Sequence, residues 1–164
     1  MMTGALGEKF SLVEGADLAV YFVAEKVRYD PEYLRQAGMT SEFFIAYYSP
    51  CPSLGFLVDG RQIGGMIFDR GRSDEVHFAV LHQYHGRWHS LWIPALRWLF
   101  AQQDPVYATV ERFNEKCVRF MDRNRFTRAE VTETQIRYRM SAADLPSERT
   151  AGVNSENDLL VRAA

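Results

Sequence analysis

Residues 76–100 read VHFAVLHQYHGRWHSLWIPALRWLF, and how this stretch is divided decides the fold. Val76, Phe78 and Val80 alternate with His77 and Ala79, and Glu75 just before them continues the second set, which is the period of a strand. Trp88, Leu91, Trp92, Ala95 and Leu99 then recur at helical spacing. Between them lies a polar turn around Gly86. Pro94 leaves two readings of the helix. Either it is kinked, because a proline inside it removes one hydrogen bond and collides with the carbonyl of Ser90, or it starts near Ile93 with Pro94 in its first turn. In the second case Trp88 belongs to the loop, where its indole can close over a ligand or block it.

Upstream, residues 8–14 alternate as a strand, and apolar residues from Leu18 to Tyr47 recur as in two short amphipathic helices separated near Asp30. The prolines of SPCPS, residues 49–53, end that region. GFLVDGRQIGGMIFDR, residues 55–70, reads as a hairpin around Asp59-Gly60, a dipeptide suited to the positive φ angles of a type I′ turn. Downstream, PVYATVE at 105–111 is another strand, Asn114 is placed to cap a helix over 115–124, and Asn124 or its neighbour to close that helix in the left-handed region. Residues 128–134 and 135–141 form a last strand pair. A folded domain over 1–141 is expected, followed by a polar tail, 142–164, that is mobile or loosely packed.

A chain of 164 residues with 47% hydrophobic and 24% charged residues suits one globular domain. With 19 basic and 21 acidic residues the net charge is −2, so neither nucleic acid nor an anionic membrane is expected as a partner. The opening residues lack the order of a signal peptide and no apolar run is long enough to span a bilayer, so a cytoplasmic protein is expected. Cys51 and Cys117 are too few for a disulfide framework and are expected to stay reduced. A homodimer remains compatible with all of this.

The histidines at 77, 82, 85 and 89 invite a metal reading, since His85 and His89 have i, i+4 spacing. No glutamate follows His85, no cysteine is near, and alternation sends His77 and His82 to opposite faces. No metal is expected.

The order of elements over residues 8–140 resembles that of the GCN5-related N-acetyltransferases (GNAT). The resemblance implies an α/β protein with the acyl-coenzyme A N-acyltransferase fold. Its central sheet is mixed and mostly antiparallel, flanked by helices, with the fourth and fifth strands splayed. Two local patterns carry it. One is a strand followed by a turn similar to the family's R/Q-x-x-G-x-G/A, read here with either Gln83 or His85 as first residue. The His85 register is preferred because Tyr84, Gly86 and Arg87 then fit, although Trp88 and Ser90 replace glycines. In that form the turn also resembles those of acetyltransferase-like proteins of tailed phages. The other is NEKCVRFMDRNRF, in which Asn114, Cys117 and Phe126 match the family's late helix, while Met121 replaces its usual tyrosine and Arg125 its glycine.

The resemblance implies acetyl-coenzyme A as acyl donor and a primary amine as acceptor. It places the cofactor against His85, Gly86, Arg87, Trp88, Ser90 and Asn114, with Ala79 and Val80 acting through their backbone. Glu75, or His77 on the same strand face, is the candidate base for the amine. Because methionine cannot donate a proton, Tyr84 is the candidate acid for the leaving thiol. The altered loop, Pro94 and Met121 keep a second reading open, a non-catalytic binding or structural protein on the same scaffold, such as a phage accessory protein.

Overall fold

Alternation at residues 75–80 becomes a strand in the computed structural model, which describes residues 7–72 and 74–146. In chain order the elements are β1 (Phe10–Glu14), α1 (Leu18–Lys26), α2 (Pro31–Gln36), α3 (Ser41–Tyr48), β2 (Ser53–Val58), β3 (Arg61–Asp69), β4 (Glu75–Val80), α4 (Trp92–Gln102), β5 (Val106–Glu111), α5 (Glu115–Arg123), β6 (Thr127–Val131) and β7 (Gln135–Met140). The strands form one seven-stranded sheet in the order β1-β2-β3-β4-β5-β7-β6. Every neighbouring pair is antiparallel except β4 and β5, which run parallel.

The region before β2 holds three helices where the apolar spacing predicts two. Each has its own side-chain cap, from Asp17, Asp30 and Thr40. The extra helix, α2, buries no residue, so it leaves no apolar stripe to be read; Pro31 opens it and Gly38, at φ +67°, follows its end. Asp59 and Gly60 have φ of 49° and 79°, as the hairpin turn requires.

Helix α4 begins at Trp92, so Pro94 lies in its first turn, where its missing N–H breaks no helical bond. Asn114 caps α5 by accepting from the Cys117 N–H at 3.3 Å, and the left-handed residue after that helix is Arg125, at φ 67°. After β7, Ala142–Asp144 form a single 3-10 turn and Leu145 packs against the core. Residues 147–164, most of the expected tail, lie outside the described residues.

Two cores lie on opposite faces of the sheet. One is closed by α4 and α5 and contains Phe56, Met66, Trp92, Leu96, Phe120, Met121 and Tyr138. The other lies under α1 and α3, where Tyr21, Phe22 and Phe44 meet Ile67 and Ala79. Trp88 belongs to the first core, stacked on Phe56 at 5.5 Å and edge-on to Trp92 at 5.7 Å.

Strands β3 and β4 approach closely at Gly64, whose φ is +152°; a Cβ there would lie 2.1 Å from the Ala79 carbonyl oxygen and 2.8 Å from the Val80 Cα. Both obstacles are backbone, so neither can swing aside. Gly64→Ala is expected to destabilise the protein by about 3 kcal/mol. Thermal denaturation should then show the midpoint lowered by roughly 10 °C.

Candidate active site

The parallel pair is brief. Only Glu75 and Tyr107 stand in register between β4 and β5, and beyond them the strands part. The Tyr107 N–H donates to the Asp74 carbonyl, so the period of two turns the backbone of Val76, Phe78 and Val80 toward β5 as well. Past Glu75 they meet no β5 partner. Two side chains take the carbonyls instead: Arg28 Nη2 donates to Phe78 at 3.2 Å, and His85 Nε2 to Val80 at 2.8 Å. Because a carbonyl only accepts, His85 carries its proton on Nε2, and its Nδ1 accepts from Lys116 Nζ at 3.2 Å. Burial, above all, pushes the His85 pKa down, and the nearby Lys116 charge adds to that.

The parted strands open a cavity of about 140 Å³ lined by Ala79, Val80, His85, Trp88, Asn114 and Lys116, among others. On the α1 face lies a larger cavity of about 720 Å³, whose walls include Tyr21, Tyr29, Tyr48, Glu75, His77 and Glu111. Arg28, Phe78 and Cys117 line both. The Tyr21 hydroxyl is buried and meets no hydrogen-bonding partner among the described residues. A group of three or more His, Cys, Asp or Glu side chains able to hold a metal does not occur among the described residues.

Behind the wall of the larger cavity, the buried Asp69 at the end of β3 faces His77 Nε2 at 3.3 Å and accepts from the Gly71 N–H at 3.1 Å. The hydrogen bond from His77 holds the Asp69 carboxyl below the usual carboxylate range, against the opposing effect of burial. A neutral His77 thus carries its proton on Nε2 and leaves Nδ1 as the basic nitrogen. Glu75 is engaged differently. Its Oε1 accepts from Thr109 Oγ1 at 2.7 Å and lies 3.6 Å from Arg137 Nε.

Likeness to solved structures follows the same geometry. An N-acetyltransferase from Staphylococcus aureus superposes with a TM-score of 0.62 at 14% identity, covering 81% of this chain and 98% of that one. The PaiA N-acetyltransferase of Thermoplasma acidophilum, in complex with coenzyme A, gives 0.61 at 14% identity over 81% and 99%. The N-acetyltransferase PseH of Campylobacter jejuni, in complex with acetyl-coenzyme A, gives 0.56 at 12% identity over 82% and 99%. This chain has the GNAT fold. No family model matches the sequence, and no curated protein matches it by sequence.

On that GNAT scaffold the expected site residues divide. Glu75 and His77 meet in the larger cavity, while Ala79, Val80, His85, Trp88 and Asn114 line the smaller one. Four others fall outside both linings. Gly86, at φ 81°, turns the loop, and Ser90 is exposed in a 3-10 turn before α4. Arg87 is held away by an ion pair with Glu8 and a bond to the Gln83 carbonyl, with its guanidinium over the Tyr84 ring. Tyr84 packs on the core under that guanidinium rather than at the cavities. A further adjustment concerns Ala79, whose carbonyl faces Gly64 of β3, so Phe78 presents its backbone to the split in its place.

The spacing of the sequence does not point to Arg28, Asp69, Lys116 or Thr109. Asp69 alone left a signal, a carboxylate closing the uncharged run of residues 63–68.

Because the folded pKa of Asp69 is depressed, its contribution to stability is complete above the unfolded value of about 3.9 and is lost as pH falls through the folded value. Asp69→Asn should cost on the order of 1–3 kcal/mol at pH 7. Urea denaturation between pH 3 and pH 7 should show a steeper acid loss in the unaltered protein than in the variant.

Proposed function

We propose that the protein is an acyl-coenzyme A-dependent N-acetyltransferase that moves an acetyl group directly to a primary amine. One observation carries this reading: the cavity of the β4–β5 split and the cavity on the α1 face share Arg28, Phe78 and Cys117. A donor entering by one and an acceptor by the other meet there, the place where the two linings overlap among the described residues.

The residues present fit a coenzyme A thioester. The parted strand offers the backbone N–H groups of Phe78 and Val80, on the same side as their bonded carbonyls, for amides, and the mouth carries Lys116, held by His85, for phosphate charge, beside a loop turned at Gly86 and running to Ser90. Trp88 and Asn114 complete the wall, and Arg87 adds charge to the outer loop once it leaves Glu8. When bound, the thioester supplies the activated acetyl group.

His77, oriented by Asp69, takes the proton of the attacking amine on Nδ1, and Glu75 holds the cationic amine before it is deprotonated. Cys117 takes no covalent part. Burial pushes its thiol up to about 11, which keeps it protonated at neutral pH and a poor nucleophile. Transfer is therefore direct.

Acetyl-coenzyme A at about a hundred times its Kd should stabilise the protein by ~2.7 kcal/mol, a rise in midpoint of roughly 5–10 °C. Once an amine screen finds an acceptor by thiol release, His77→Gln should lower kcat on the order of a hundredfold with coenzyme affinity retained. Glu75→Gln should instead act mainly on the KM of the amine. Stabilisation by the coenzyme with no amine promoting thiol release would favour the non-catalytic scaffold.

Lys116→Ala should weaken coenzyme A binding about tenfold in calorimetric titration. The loss should shrink at high salt, because the lysine is exposed.

A further inference from the structure

Acetyl transfer from a thioester forms an N–C bond, breaks the C–S bond and sends sulfur away with the electron pair. The cationic amine loses one proton to His77 before it attacks and a second to solvent after the N–C bond forms, and one of the two reaches the sulfur later through solvent. Until then a thiolate stands at the junction of the two cavities, in surroundings that Phe78 and Phe120 make largely apolar. An unpaired anion there is costly.

The side chains that sequence resemblance offers for this task are elsewhere. Met121 is fully buried in the α4–α5 core and Tyr84 lies under Arg87. Cys117 lines the junction, yet a thiol near 11 is a poorer proton donor than the ordinary thiol it would serve, at about 8.5. Of the three residues common to both cavities, only Arg28 carries charge.

Resting on the acetyltransferase reading, we infer that Arg28 is a catalytic residue that stabilises the departing coenzyme A thiolate. The guanidinium is half-buried at the end of α1 and anchored on both sides, by Glu25 Oε2 at 2.6 Å and the Phe78 carbonyl at 3.2 Å. Both contacts use Nη2, and a guanidinium carries donors on Nη1 and Nε as well. Burial is the largest single effect and works against its charge, but the Glu25 carboxylate and the other acidic groups around it together hold its pKa above the usual value. A permanent cation of this kind lowers the energy of the leaving thiolate without having to give up a proton.

Other ionisable groups around the junction are placed for other tasks. Lys116 and His85 bond each other at the mouth of the smaller cavity, while Glu75, His77 and Glu111 line only the larger one. Tyr21 and Tyr29 also face the larger cavity, and burial raises the pKa of both, that of Tyr29 to about 12, so they stay neutral there.

The test uses free coenzyme A labelled with 13C at the carbon bearing sulfur, bound to the full-length protein and titrated by NMR from pH 6 to pH 10. In the unaltered protein the bound thiol should titrate at least one unit below free coenzyme A, about a tenfold gain in thiolate. Arg28→Gln should abolish the shift while the coenzyme still binds, and Arg28→Lys should keep part of it. A bound thiol titrating at or above the free value overturns the role of Arg28, as does an undiminished shift in Arg28→Gln. Should Arg28→Gln fail to fold, the unaltered protein and Arg28→Lys still decide. Coenzyme A that fails to saturate the unaltered protein in the same samples overturns the acetyltransferase reading, and this inference with it.

Discussion

Everything distinctive in this structure depends on two parallel strands that pair once and then part. A sheet interrupted at its centre leaves backbone donors and acceptors without their usual partners, and buried ones must find others. Here Arg28 and His85 reach in from opposite sides to bond successive inward-facing carbonyls of β4. An aromatic wedge occupies the space behind them. Phe78 packs against Trp92 at 5.0 Å and Phe120 at 5.7 Å, and Trp88 stands against both of those rings. Phe78, Trp88 and Phe120 line the cavity that the parted strands leave open.

The same wedge explains the loop after β4. An indole at Trp88 adds more apolar surface than a glycine would, and burying it in the core pulls the loop inward through two 3-10 turns before α4 can start. Pro94 then sits where a helix tolerates it. The loop is tied to the rest of the chain by charge as well, through Arg87 to Glu8 and His85 to Lys116. The fold parts the histidines that look like one cluster in the sequence: His77, at the larger cavity, faces Asp69, while His85, at the smaller one, faces Val80 with His82 edge-on to it at 5.0 Å.

The strands, the hairpin at Asp59-Gly60 and the cap at Asn114 are legible in the sequence because each depends on neighbours within a few residues, whereas Pro94 by itself leaves the start of α4 between two readings. Turn dipeptides, caps and period-two alternation act locally. The helix α2 is the exception. It has a cap and a proline but no buried face, and hydrophobic periodicity reports burial rather than helix as such.

The sequence by itself determined most of the elements and their order along the chain, since these follow from local geometry and the alternation of apolar residues. It determined Glu75 and His77 as neighbours on one strand face for the same reason. Tertiary structure alone decided that Asp69 orients His77, that Thr109 and Arg137 occupy Glu75, and that Arg28 stands between the two cavities. Arg28 and the Phe78 carbonyl are 50 residues apart, and nothing in the periodicity of α1 records which side chain the sheet will leave without a partner. That contact exists only because β4 and β5 part, and the cavity beside it is lined by rings contributed from three separate segments of the chain, at Phe78, Trp88 and Phe120.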